Sequence, residues 1–87
     1  MFYSIGDMTD SSSQSCNSYL GKYGVVGVNG VTSNTHGLPD WQHPSTGDKI
    51  IWGQLICLGN IQFLSCTTGS SSYGWKRVRN SSTWSSL

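Results

Sequence analysis

The apolar positions of this 87-residue chain fall into short blocks separated by Gly-, Ser- and Pro-bearing stretches. The densest block, Ile50-Ile51-Trp52-Gly53-Gln54-Leu55-Ile56-Cys57-Leu58, has the length of a strand buried on most of its surface rather than that of a helix. It is predicted to be the central strand. Gly59-Asn60 then turns the chain, and Ile61 to Cys66 returns with Ile61 and Phe63 on one face and Gln62 and Leu64 on the other. A two-residue turn at that point sets Cys57 opposite Gln62. Trp75 to Arg79 alternates again, with Trp75, Arg77 and Arg79 on one face and Lys76 and Val78 on the other.

Upstream, the β-branched and aromatic run from Tyr19 to Val28 predicts a strand near Gly24 to Val28, closed by Asn29-Gly30 as a tight turn. Three stretches carry no period. Residues 1–18 form a polar lead-in, extended or mobile, and residues 19–87 a single β domain. Val31 to Ser45, with Gly37, Pro39 and Pro44, is the long loop, and Thr67 to Tyr73 is a Gly/Ser-rich connection.

Composition strengthens the β reading, because Ala and Glu are absent whereas Gly, Ser, Thr, Tyr and Trp are plentiful. The chain is predicted to be all-β. A core of this size is marginal alone, so association of several copies is expected. Charged residues make up 10% of the chain and the formal net charge is +1, which leaves no dense basic face for a row of phosphates. Nucleic acid is therefore not an expected partner. No apolar run is long enough for a spanning helix, no signal-peptide layout opens the chain, and Cys16, Cys57 and Cys66 include no C-x-x-C pair. Reduced thiols in a protein made in a cytoplasm are the expectation, without membrane insertion.

The end of the chain carries the most specific pattern. Trp75-Lys76-Arg77 is an aromatic-x-Arg step on a strand, and Trp84 follows Arg77 by seven positions in a Ser/Thr setting. In the same order stand Gly6-Asp7-Met8-Thr9-Asp10, Gly21 to Val28, Gly37-Leu38-Pro39, Trp52-Gly53-Gln54-Leu55-Ile56, Ile61-Gln62-Phe63 and Thr83-Trp84. This succession resembles bacteriophage tail-fibre tips and the related knob domains of R-type pyocins. It departs from them at Leu87, where a second Trp is common. The resemblance implies a small antiparallel, β-sandwich-like knob, trimeric, carried on a virion tail fibre or similar surface appendage and assembled from protein made in the bacterial host cytoplasm. It also implies receptor binding during host-cell attachment, with a surface polysaccharide such as lipopolysaccharide or teichoic acid and other tail or virion proteins as partners.

Candidate binding residues lie in the long loop. Trp41 is flanked by Asp40 and Gln42, with His36 and His43 nearby. An exposed indole covers the apolar face of a pyranose while such polar neighbours bond its hydroxyls; packing of Trp41 within the loop is the competing reading. His36, His43 and Asp40 match no standard zinc spacing, and neither a metal nor another cofactor is expected. Trp75, Arg77 and Trp84 read as structural anchors, the arginine stacked on a ring or bonded to carbonyls.

Catalysis finds little support. The carboxylates are Asp7, Asp10, Asp40 and Asp48, of which Asp40 and Asp48 are the one plausible pair for glycan cleavage, and no nucleophile elbow is present. The expected function is glycan attachment by a non-enzymatic fibre tip. A different class, a structural head-decoration, neck or baseplate protein packed against other virion components, is the alternative.

Overall fold

The computed structural model describes residues 3–68, 71–79 and 81–87, the side chain of Thr68 excepted. Strands β1 (Ser4–Met8), β2 (Tyr23–Thr32), β3 (Ile50–Leu58), β4 (Ile61–Thr68), β5 (Ser71–Val78) and β6 (Ser85–Ser86) form one sheet in the order β1-β2-β3-β4-β5-β6. The protein is nearly all β, as its composition predicts. β1 pairs with β2 in parallel, whereas every later pairing is antiparallel, so the sheet is mixed rather than purely antiparallel.

The apolar block at 50–58 is the strand β3 near the middle of the sheet. The turn at Gly59-Asn60 sets Cys57 opposite Gln62 and Ile56 opposite Phe63, which fixes the register by the alternation of both strands. Leu64 then pairs with Trp75 and Gln62 with Arg77. On the inner face this aligns Val26, Leu55, Leu64 and Trp75 in one row across four strands. Ile51, Leu55 and Leu64 are fully buried there, and each contributes about 1.5–3 kcal/mol relative to an exposed position.

The second layer is built from loops. A 3-10 turn, Cys16–Tyr19, and the long loop after β2 lie over the inner face, where Cys16, Tyr19 and Leu38 join the core of the sheet. The Cys16 amide donates to the His36 carbonyl at 2.8 Å and so ties the two covering segments together. The sandwich-like form expected from the resemblance is therefore one sheet faced by loops.

Four local expectations change. The lead-in is not separate from the domain of residues 19–87, because its extended segment Ser4–Met8 forms β1 beside β2 and Met8 is fully buried in the core. Asn29-Gly30 does not end its strand: β2 runs on to Thr32 through a bulge between Asn29 and Val31, with Gly30 at φ 65°. The dipeptide supplies the left-handed conformation that a tight turn would also have used. β4 and β5 extend to Thr68 and from Ser71, which shortens the expected 67–73 connection to residues outside those described. Finally, β3 is buried on one face only. Trp52 is 57% exposed and Ile50 39%, although the block was expected to be covered on most of its surface.

Candidate functional site

The groove of interest lies where the long loop meets the end of the chain. It has a volume of about 380 Å³ and is lined by Asn34, Leu38, Pro39, Asp40, Trp75, Ser82, Thr83 and Trp84. Three segments distant in sequence supply it. β5 presents Trp75 from the inner face, while the turn after β2 presents Asn34, held at φ 66°, a conformation that Asn adopts more readily than most residues. The last residues return along β5 through the pairs Trp75 with Ser86 and Lys76 with Ser85. This return brings Trp84 over the loop, where its Nε1 donates to the Gly37 carbonyl at 2.8 Å.

Beneath Trp84 lies a buried polar relay. Arg77 is 4% exposed and Gln62 fully buried. Arg77 Nε donates to Gln62 Oε1 at 2.8 Å, and Gln62 Nε2 donates in turn to the Cys16 carbonyl at 2.8 Å. The guanidinium carbon stands 4.8 Å from the Trp84 ring centroid, within reach of a cation–π interaction. One relay thus joins β5, β4, the covering 3-10 turn and the aromatic wall of the groove. Arg77 Nη2 is buried without a hydrogen-bond partner among the described residues. Burial lowers the Arg77 pKa, opposed by the Cys16 and Cys57 sulfurs, yet a guanidinium stays charged throughout the ordinary pH range. The same burial pushes the Cys16 thiol up to about 12 and raises that of Cys57. Both are neutral packing groups at neutral pH, not nucleophiles.

The loop residues singled out in the sequence are dispersed among different tasks. Asp40 is exposed and lines the groove. Trp41 is half-buried and packs on the core, its ring centroid 5.1 Å from Tyr73 and 6.1 Å from Trp75. Ser33 Oγ bonds the Trp41 carbonyl at 2.7 Å and holds that turn of the loop. Gln42 is exposed and lies over the bend at Gly47.

The two histidines are occupied by backbone. His36 places Nδ1 2.9 Å from the Gln14 carbonyl and Nε2 3.2 Å from the Asp10 carbonyl, which ties the Ser-rich segment to the loop. A neutral imidazole donates at one of these nitrogens and the imidazolium at both. His43 Nδ1 accepts from the amides of Ser45 and Thr46 at 3.0 and 3.2 Å and caps a tight turn. Among the described residues no cluster of three or more His, Cys, Asp or Glu side chains could hold a metal ion. Asp10 accepts from the Thr32 amide at 2.8 Å and the Thr32 hydroxyl at 2.9 Å, and these bonds lower its pKa from the usual carboxylate value. Asp48 accepts from the Ile50 amide at 2.9 Å at the start of β3, and is not among the residues lining the groove with Asp40.

Sequence reasoning therefore named Asp40 and, as anchors, Trp75 and Trp84. It missed Asn34, Leu38, Pro39, Ser82 and Thr83. The Gly37-Leu38-Pro39 step and the Ser/Thr run before Trp84 were visible signals, but only the return of the chain along β5 brings them together. Comparison with protein-family models, with curated proteins and with solved structures yields no match.

Proposed function

We propose that the protein is a non-enzymatic glycan-binding knob that attaches a phage or phage-like particle to a bacterial surface polysaccharide. The observation that carries this reading is the groove itself, a pair of indoles with an exposed carboxylate, an Asn amide and two hydroxyl side chains around about 380 Å³. Indole surface suits the apolar face of a pyranose, and the carboxylate, amide and hydroxyls suit its hydroxyl groups. That volume lies within the range of roughly 300–1,000 Å³ usual for small-ligand sites. The order of motifs that resembles fibre tips supplies the biological setting, a virion appendage in which several copies multiply a weak single-site contact.

The test is an array of lipopolysaccharides, teichoic acids and capsular polysaccharides probed with the native chain and with Asp40→Ala. The native chain retains a defined glycan class, and the variant loses about tenfold or more in affinity, the equivalent of about 1.4 kcal/mol. Because Asp40 is exposed, its removal leaves the melting temperature unchanged. Glycan binding that survives Asp40→Ala undiminished, or an array that stays blank, counts against the reading.

The second reading, a structural virion protein, draws on a different observation, the exposure of Tyr23 (72%), Trp52 (57%) and Val78 (54%) on the sheet. It predicts a chain that aggregates without its neighbours, where the knob reading predicts a discrete soluble oligomer.

A further inference from the structure

The inner face of the sheet is covered by the chain's own loops, and the outer face is not. By the register, the outward positions fall into rows across β2, β3, β4 and β5. The first row is Tyr23, Leu58, Ile61 and Val78, and the second is Val25, Ile56, Phe63 and Lys76. The third is Gly27, Gln54, Ser65 and Gly74, and beyond it Asn29 pairs with Trp52 and Thr67 with Ser72, positions that are polar except for Trp52. Apart from Trp52 at the far end, the apolar side chains are thus gathered in the two rows nearest the Gly59-Asn60 turn. Tyr23 and Val78 are exposed, and Val25, Ile56, Leu58, Ile61 and Phe63 are only partly covered.

We infer that this outer face is the surface through which copies of the chain associate. A second copy fits on three grounds. Four strands about 4.8 Å apart and four rows about 6.7 Å apart present roughly 500 Å² in projection. Two such faces remove on the order of 1,000 Å² from water, the lower bound for a specific interface. The charged strand residues of the face are Asp7, on β1 beside Gly27 of the third row, and Lys76, at the β5 end of the second row, which stand toward opposite sides of the sheet. The face is therefore electrically self-complementary, and its centre can be desolvated without burying a charge. Sheets also pack face to face through such apolar rows, about 10 Å apart.

Association in this way leaves every groove outward, because Trp75 and the covering loop belong to the opposite face. The inference deepens the multivalent part of the proposed function and names the surface responsible for it.

Light scattering on the full 87-residue chain, alone and as Ile56→Lys and Val78→Asp, tests the inference. The native chain is expected at two or more times its 9.5 kDa, and the variants at 9.5 kDa with native far-ultraviolet circular dichroism. Val78 is 54% exposed, so its replacement reads the interface even if Ile56→Lys fails to fold. A native chain that stays monomeric at tens of micromolar, or a folded Val78→Asp variant that keeps the native mass together with Ile56→Lys, overturns it. Glycan binding by the monomeric variant is scored separately, at the single-site level, so failure of association and failure of the groove give different results.

Discussion

Gln62→Leu is expected to lower the melting temperature by roughly 15–30 °C, the consequence of about 3–4 kcal/mol lost from a domain of this size. The side chain fills its position about as well as leucine does, so the loss is electrostatic rather than steric. Gln62 is fully buried and both ends of its amide are engaged, the oxygen by Arg77 Nε at 2.8 Å and the nitrogen by the Cys16 carbonyl at 2.8 Å. Removing it leaves a buried carbonyl and one more unpaired donor on a guanidinium whose Nη2 already lacks a partner among the described residues. An unsatisfied buried neutral group costs about 1–3 kcal/mol, and one on a charged group costs more. The same reasoning predicts partial rescue. Adding Arg77→Met to Gln62→Leu removes the stranded cation and recovers about 1–2 kcal/mol, whereas independent sites would add their losses. Thermal unfolding by circular dichroism measures both, and a single variant melting within about 5 °C of the native chain would show that the relay is not needed for stability.

The second large effect belongs to Gly53. A Cβ at this position would overlap the Ser65 carbonyl oxygen and lie 2.8 Å from the Ser65 carbonyl carbon and 2.9 Å from Cys66 Cα. These are backbone atoms of the neighbouring strand, so relief requires β4 to move away from β3. That displacement disturbs the pairs Gly53 with Cys66 and Leu55 with Leu64 at the centre of the sheet. Gly53→Ala is expected to cost about 3 kcal/mol, the upper part of the range for overpacking. Gly21→Ala is the control. Gly21 sits at φ 82° with only Arg79 Nη1 near the added methyl, at 3.6 Å, so its cost is conformational and about 1 kcal/mol. Equal losses for the two alanines in denaturant titrations would mean that the close approach of β3 and β4 is not what requires glycine.

These two residues also mark how far the sequence could be read. The central strand, the turn after it and the pairing of Cys57 with Gln62 followed from local alternation and a two-residue turn. β5 was legible for the same reason, since Trp75 and Arg77 alternate with Lys76 and Val78. β1 was not legible. Its five residues, Ser-Ile-Gly-Asp-Met, contain little apolar surface, and its parallel pairing with β2 depends on a crossover that no local pattern announces. Gly53 has no periodic signature either, because its importance lies in what stands opposite.

The site follows the same division. Asp40 could be proposed from its neighbours, whereas Ser82 and Thr83 gain meaning only after Trp84 has bonded the Gly37 carbonyl. Trp41 was read for its polar flanks, but the row of aromatic side chains on β5, Tyr73 and Trp75, draws its ring inward. The backbone likewise claims His36 and His43, through carbonyls in one case and amides in the other.

The four tryptophans stand in distinct settings, which gives the central claim a direct readout. Trp75 and Trp84 line the groove, Trp41 packs behind it, and Trp52 lies on the outer face over Gly30. The measurement is a titration of the isotopically labelled protein with the glycan class retained on the array, followed through the four indole N–H signals by nuclear magnetic resonance. The account predicts saturable shifts of the Trp75 and Trp84 signals while Trp52 stays in place. Shifts centred on Trp52 with Trp75 and Trp84 unmoved would contradict it.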